Sequence, residues 1–168
     1  GGVVVTRRTL WIAVSAAYGL IATAGPTLLA DVGLEPTCAG GQHAACPFGW
    51  TYADHACFKL FGDGLLGEPL PWAEAEEACV ALGDGVQLAS VTSAEQQQAV
   101  ARLIDGSQVW IGLNDIDEEG AFVWSDGELL DFTMWRPGEP SGDGDGVDAG
   151  CGGGDHWCDS PVEAKIPY

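Results

Sequence analysis

Carboxylates crowd the last third of this chain. Glu139-Pro140-Ser141 leads into Gly142-Asp143-Gly144-Asp145-Gly146-Val147-Asp148, and Trp157-Cys158-Asp159 follows shortly after. A second acidic stretch, Asp115 to Glu119, runs into Gly120 and Phe122. Oxygen donors on loops suit hard cations, and calcium most of all, because it takes roughly six to eight oxygen ligands in a flexible geometry. An EF-hand is excluded: Asp143 and Asp145 fit its first and third positions, but Val147 and Gly154 fall at its fifth and twelfth. The rival for Asp117, Glu118 and their neighbours is a plain solvated acidic turn. No nucleophile elbow, paired zinc histidines or Gly-rich phosphate loop is present, and His43, His55 and His156 stand apart with no nucleophile beside them. Cys151, His156 and Cys158 offer zinc three ligands, one short of a structural site.

The positioning elements must come from one domain, since 168 residues and 17.5 kDa do not make two independent cores. With 46% hydrophobic residues and 7 Trp the chain folds despite its 25 Gly. Six basic against 25 acidic residues give a net charge of -19, which repels phosphate backbones and anionic bilayers and excludes nucleic acid as a partner. Six Cys point to disulfides and an oxidising compartment.

An export signal supplies that compartment. Thr9 to Ala30 carry no charge and follow Arg7 and Arg8, while Ala22-Thr23-Ala24 offers a cleavage site before Gly25-Pro26. Residues 1–24 are therefore expected to be a signal peptide, and the chain secreted. The alternative is an uncleaved anchor to about residue 30, which makes a single-pass type II membrane protein and is the only route to a membrane here. Residues 25–45 read as a linker whose Cys38 is free to join two chains. A first residue Gly and a last residue Tyr168 within an apparent strand suggest a fragment.

From Cys46 the texture becomes that of a domain, residues 46–168. Cys46-Pro47-Phe48-Gly49-Trp50 and Cys57-Phe58-Lys59-Leu60 read as two short strands closed by a disulfide. Trp72, Ala75, Cys79 and Leu82 share one face of a helix opened by Pro71 and ended by Gly83. A second helix starts at Ser93, capped by its hydroxyl with Gln96 reaching back, and buries Val100, Leu103 and Ile104. Strands Val109–Leu113 and Phe122–Trp124 follow, then the turn Ser125-Asp126-Gly127. Residues 136–156 read as a long irregular loop in which the Gly/Asp tract forms neither helix nor packed strand. The fold class is α+β. Trp124 and Trp135 are expected in the core rather than stacked on sugar rings.

Three motifs then resemble the C-type lectin family over nearly all of Cys46–Tyr168. They are the opening Cys46-Pro47…Gly49-Trp50…Cys57, similar to the N-terminal hairpin of the long form; Trp110-Ile111-Gly112-Leu113-Asn114-Asp115 with Phe122-Val123-Trp124-Ser125-Asp126-Gly127 and Trp135; and Glu139-Pro140-Ser141 ahead of Trp157-Cys158-Asp159. The resemblance implies two helices flanking a looped antiparallel sheet, and a long loop that holds Ca2+ and through it a sugar. For that site it carries over Glu139 and Asp159; Ser141 stands where Asn is usual, Cys158 replaces the second Asn, and Asp145 or Asp148 replaces the fifth ligand. An auxiliary calcium site is implied at Asp115 and Glu119, closed by Asp143 or Asp148. The resemblance pairs Cys46 with Cys57, gives Cys151 and Cys158 to each other, and leaves Cys79 without a partner.

The expected function is non-enzymatic, calcium-dependent binding of glycans or glycoproteins, with mannose-type sugars favoured by Glu139-Pro140. Its rival is a lectin-like fold for protein recognition or adhesion in which calcium only orders the long loop. Ser141 and Cys158 favour that rival.

Overall fold

In a computed structural model the described residues are 46–61, 68–168 and the backbone of 2–6. Two four-stranded antiparallel sheets and two α-helices make the α+β domain. The first sheet has the order β2-β3-β1-β4, from β1 Gly2–Thr6, β2 Thr51–Ala53, β3 Ala56–Phe61 and β4 Val86–Leu88. The second has the order β6-β5-β7-β8, from β5 Val109–Asn114, β6 Val123–Trp124, β7 Gly146–Ala149 and β8 Trp157–Ser160.

The N-terminal hairpin is a two-residue turn. Asp54 and His55 both take positive φ, 39° and 66°, as a type I′ connection requires, and the Cys46–Cys57 disulfide closes its base. Gly2–Thr6, within the segment expected to be an export signal, forms a strand between β3 and β4, as its run of β-branched valines favours. Cleavage after Ala24 would detach it. The expected cleavage site, the linker and Cys38 lie outside the described residues.

Helix α1, Trp72–Val80, begins directly after Pro71 and buries Trp72, Ala75 and Cys79. It ends a turn before Gly83, so Leu82, expected on the buried face, is 52% exposed. Helix α2, Ala94–Ile104, is capped by the Ser93 hydroxyl, which accepts from Gln96 N at 3.3 Å. Gln96 does reach back, but to Thr92 N at 2.8 Å rather than to Ser93. Its amide also donates to Asp54 O at 3.0 Å and so ties α2 to the hairpin turn.

Strand β5 is buried along its whole length because cores lie on both of its faces. Val109, Ile111 and Leu113 point into one core with Phe58, Val100, Trp124 and Trp157. The alternate residue Trp110 enters a second core with Trp72, Cys79 and Leu88. Trp157 meets Trp124, Phe132 and Trp135 edge to face with centroids 5.7 to 6.0 Å apart, each pair worth ~0.5–1.5 kcal/mol beyond the area it buries. Trp124 and Trp135 thus serve packing.

The Gly/Asp tract overturns one expectation, because its second half is a strand. All four residues of β7 are buried, and β7 lies between β5 and β8. Gly146 is what makes this possible: a Cβ there would stand 3.0 Å from Trp72 and 3.2 Å from Trp110. Glycine reads as a strand breaker by propensity, yet here it lets the backbone lie flat against two indoles.

Candidate functional site

The long loop leaves the core at Trp135 and returns as β7. Arg136 N donates to Trp157 O and Trp157 N to Met134 O, which pins the loop's start to the start of β8. The Glu139–Pro140 bond is cis, and the loop then folds over β8. Here Glu139, Ser141, Asp143 and Asp159 come together. Asp159 Oδ1 accepts Ser141 N at 2.7 Å and the Ser141 hydroxyl at 3.2 Å; Oδ2 accepts Gly142 N at 2.7 Å and Asp143 N at 3.1 Å. The Ser141 hydroxyl also lies 2.8 Å from Asp143 Oδ1, and Glu139 Oε2 accepts Ser141 N at 3.1 Å.

The two carboxyls perturb each other. Burial alone would raise the Asp159 carboxyl, but the bond from Glu139 and the Ser141 and Gly142 amides outweigh it and hold Asp159 down to about 2. Glu139 is raised, first by that same bond to Asp159 and then by burial.

These residues do not fit a calcium ion at this position. Three backbone amides already converge on the Asp159 carboxylate, and Cys158 is spent in a disulfide with Cys151. Among the described residues no group of three or more His, Cys, Asp or Glu is arranged to hold a metal. Asp148, counted above among the donors, is a strand residue instead: it is wholly buried in β7 with Oδ2 accepting the Ser160 hydroxyl at 2.7 Å. Burial pushes its carboxyl up to about 6, against hydrogen bonds from Ser160 and Gln108.

The Asp115–Glu119 turn behaves differently. Asp115 is 2% exposed; its Oδ2 accepts Gly120 N at 2.8 Å, while Oδ1 is buried without a hydrogen-bond partner. Asp115 N donates to Asp145 O at 3.0 Å, and Glu119 Oε1 stands 3.2 Å from where a Cβ of Gly142 would be. The turn is thus joined to the long loop by the Asp115 backbone at Asp145 and by the Glu119 carboxylate at Gly142. An orphaned buried carboxylate oxygen costs several kcal/mol unless a proton or cation satisfies it, and Asp115 Oδ1 is such an oxygen.

One residue that matters to this end of the molecule carried no motif. Gln97 on α2 donates to Asp155 O, and its Oε1 accepts Trp157 Nε1 at 2.9 Å. It ties α2 to the backbone at Asp155 and to the β8 indole together. Its placement on the buried face of α2 was the only available signal.

Comparison with known proteins agrees with this architecture. The family model described as the lectin C-type domain matches residues 68–165, more than half the chain. The low affinity immunoglobulin epsilon Fc receptor of Mus musculus is 37% identical over 103 residues, which is 61% of this chain but 29% of the receptor. The C-type lectin CEL-I from Cucumaria echinata superposes with a TM-score of 0.64 at 28% identity, over 74% of this chain and 95% of that one. A calcium-independent type II antifreeze protein superposes with a TM-score of 0.65 at 30% identity, over 76% and 94% respectively.

Proposed function

The chain belongs to the C-type lectin family, whose members are binding proteins and not enzymes, and from that premise we propose that it is an extracellular recognition domain that engages a protein or glycoprotein surface with its long-loop face. In this reading calcium sits only at Asp115 and Glu119 and orders the loop, and no sugar is held through a metal ion. One observation carries it: Cys158, where a second amide ligand would be needed, forms a disulfide with Cys151 beside an Asp159 that already receives three backbone amides. Two relatives support such a use of the fold, since one is by name a receptor for an immunoglobulin and another a calcium-independent protein.

A second reading keeps calcium-dependent binding of mannose-type sugars. The mutual influence of the Glu139 and Asp159 carboxyls favours it, because a cation between two acids would relieve their repulsion. A glycan array probed with the chain in calcium and in EDTA separates the two, with immobilised glycoproteins on the same slide. The expected result is no glycan signal that EDTA removes, and glycoprotein binding that does not require a free mannose-type sugar. Mannose-type signal abolished by EDTA would overturn the first reading in favour of the second.

A further inference from the structure

Asp159 stands in β8 with its orientation fixed from both sides, by the disulfide at Cys158 and by the pairing of β8 with β7. Its carboxylate receives the N–H groups of three consecutive loop residues at 2.7, 2.7 and 3.1 Å. Three successive amides converge on one anion only where the backbone changes hand, and Gly142, at φ 73°, supplies that change. We infer that Asp159 is a latch that closes Ser141–Asp143 onto β8 without a metal ion, its carboxylate occupied by backbone amides where a cation would otherwise be needed.

This deepens the proposed reading by giving the regulation of the same loop, and it rests on that reading's exclusion of calcium from Asp159. A divalent ion approaching Asp159 must first break several charge-assisted hydrogen bonds. The tip of the loop therefore keeps its shape when calcium is withdrawn.

Amide hydrogen exchange by NMR tests this on the whole chain in EDTA, residue by residue. The Ser141, Gly142 and Asp143 amides are expected to be protected in the wild type without calcium. Asp159→Asn is expected to exchange them at least about tenfold faster, the equivalent of one lost charge-assisted bond, while the β5 amides of Val109–Asn114 keep their protection and show that the variant is folded. Wild-type amides 141–143 that exchange freely in EDTA and become protected only with calcium would overturn the latch. So would unchanged exchange in folded Asp159→Asn. Should Asp159→Asn fail to fold, the wild-type measurement in EDTA decides alone. Calcium-dependent mannose binding on the array with amides still protected in EDTA would sink the proposed function and leave the latch standing.

Discussion

Replacing Asp148 by Asn should remove a pH dependence that belongs to one side chain. Asp148 is wholly buried between β5 and β8, with Oδ2 on the Ser160 hydroxyl. Burial, reinforced by the nearby charges of Glu139 and Asp159, lifts its carboxyl from the usual 3.8 to about 6. The folded state thus holds this proton more tightly than the unfolded state does. Stability from the group is fully present below pH ~4 and is lost as pH rises through about 6, the gap amounting to ~3 kcal/mol. Asn cannot ionise, so the stability of Asp148→Asn relative to wild type should climb by ~3 kcal/mol between pH 4 and 7 and then level off. Urea melts of both proteins at several pH values in EDTA measure it, and the other acids cancel in the difference. A difference that stays flat from pH 4 to 8 would refute the reasoning and mean that Asp148 is ionised in place or reached by water.

Four further outcomes are expected. Calcium at a hundredfold excess over its Kd should stabilise the wild type by ~2.7 kcal/mol, an increment that thermal melts should show lost in Asp115→Asn and kept in Glu139→Gln. Replacing Cys151 and Cys158 together by Ser should cost ~2.5 kcal/mol in denaturant titrations, the loop entropy of so short a bridge. Gly144→Ala should destabilise by ~3 kcal/mol, since its Cβ would meet the Ser160 backbone at 2.1 Å and backbone cannot swing aside. Gln97→Ala should cost ~1–3 kcal/mol by leaving Trp157 Nε1 buried and unpaired, and should quench or shift the tryptophan emission.

The parts of the fold that were legible in sequence are those governed by local chemistry. Pro71, Ser93 and the spacing of Trp72, Ala75 and Cys79 announce two helices because capping and periodicity act within a few residues. Strand β7 was hidden for the opposite reason. Gly146 and Asp148 belong there only because two indoles demand a missing side chain and Ser160 offers a hydroxyl, and all of these partners are remote in sequence. The candidate site divides in the same way. Glu139, Ser141 and Asp159 announce themselves as oxygen donors, but what fills Asp159 is three backbone amides, which no residue type reveals. Asp115 was legible as an acid, whereas its orphaned oxygen follows from burial that the fold imposes.

Both bridges of the domain are short clips. Cys46–Cys57 spans a sequence separation of 11 and Cys151–Cys158 one of 7, each closing a single hairpin. Correct pairing therefore needs no long-range docking: as the chain emerges, each cysteine meets its partner before the next pair has been made. Cys79, the free thiol among the described residues, is buried, with burial and then Glu76 driving its thiol well above the usual range, so it stays a poor thiolate nucleophile once α1 has packed. Oxidative folding of this domain should accordingly proceed with little scrambling and little dependence on an isomerase.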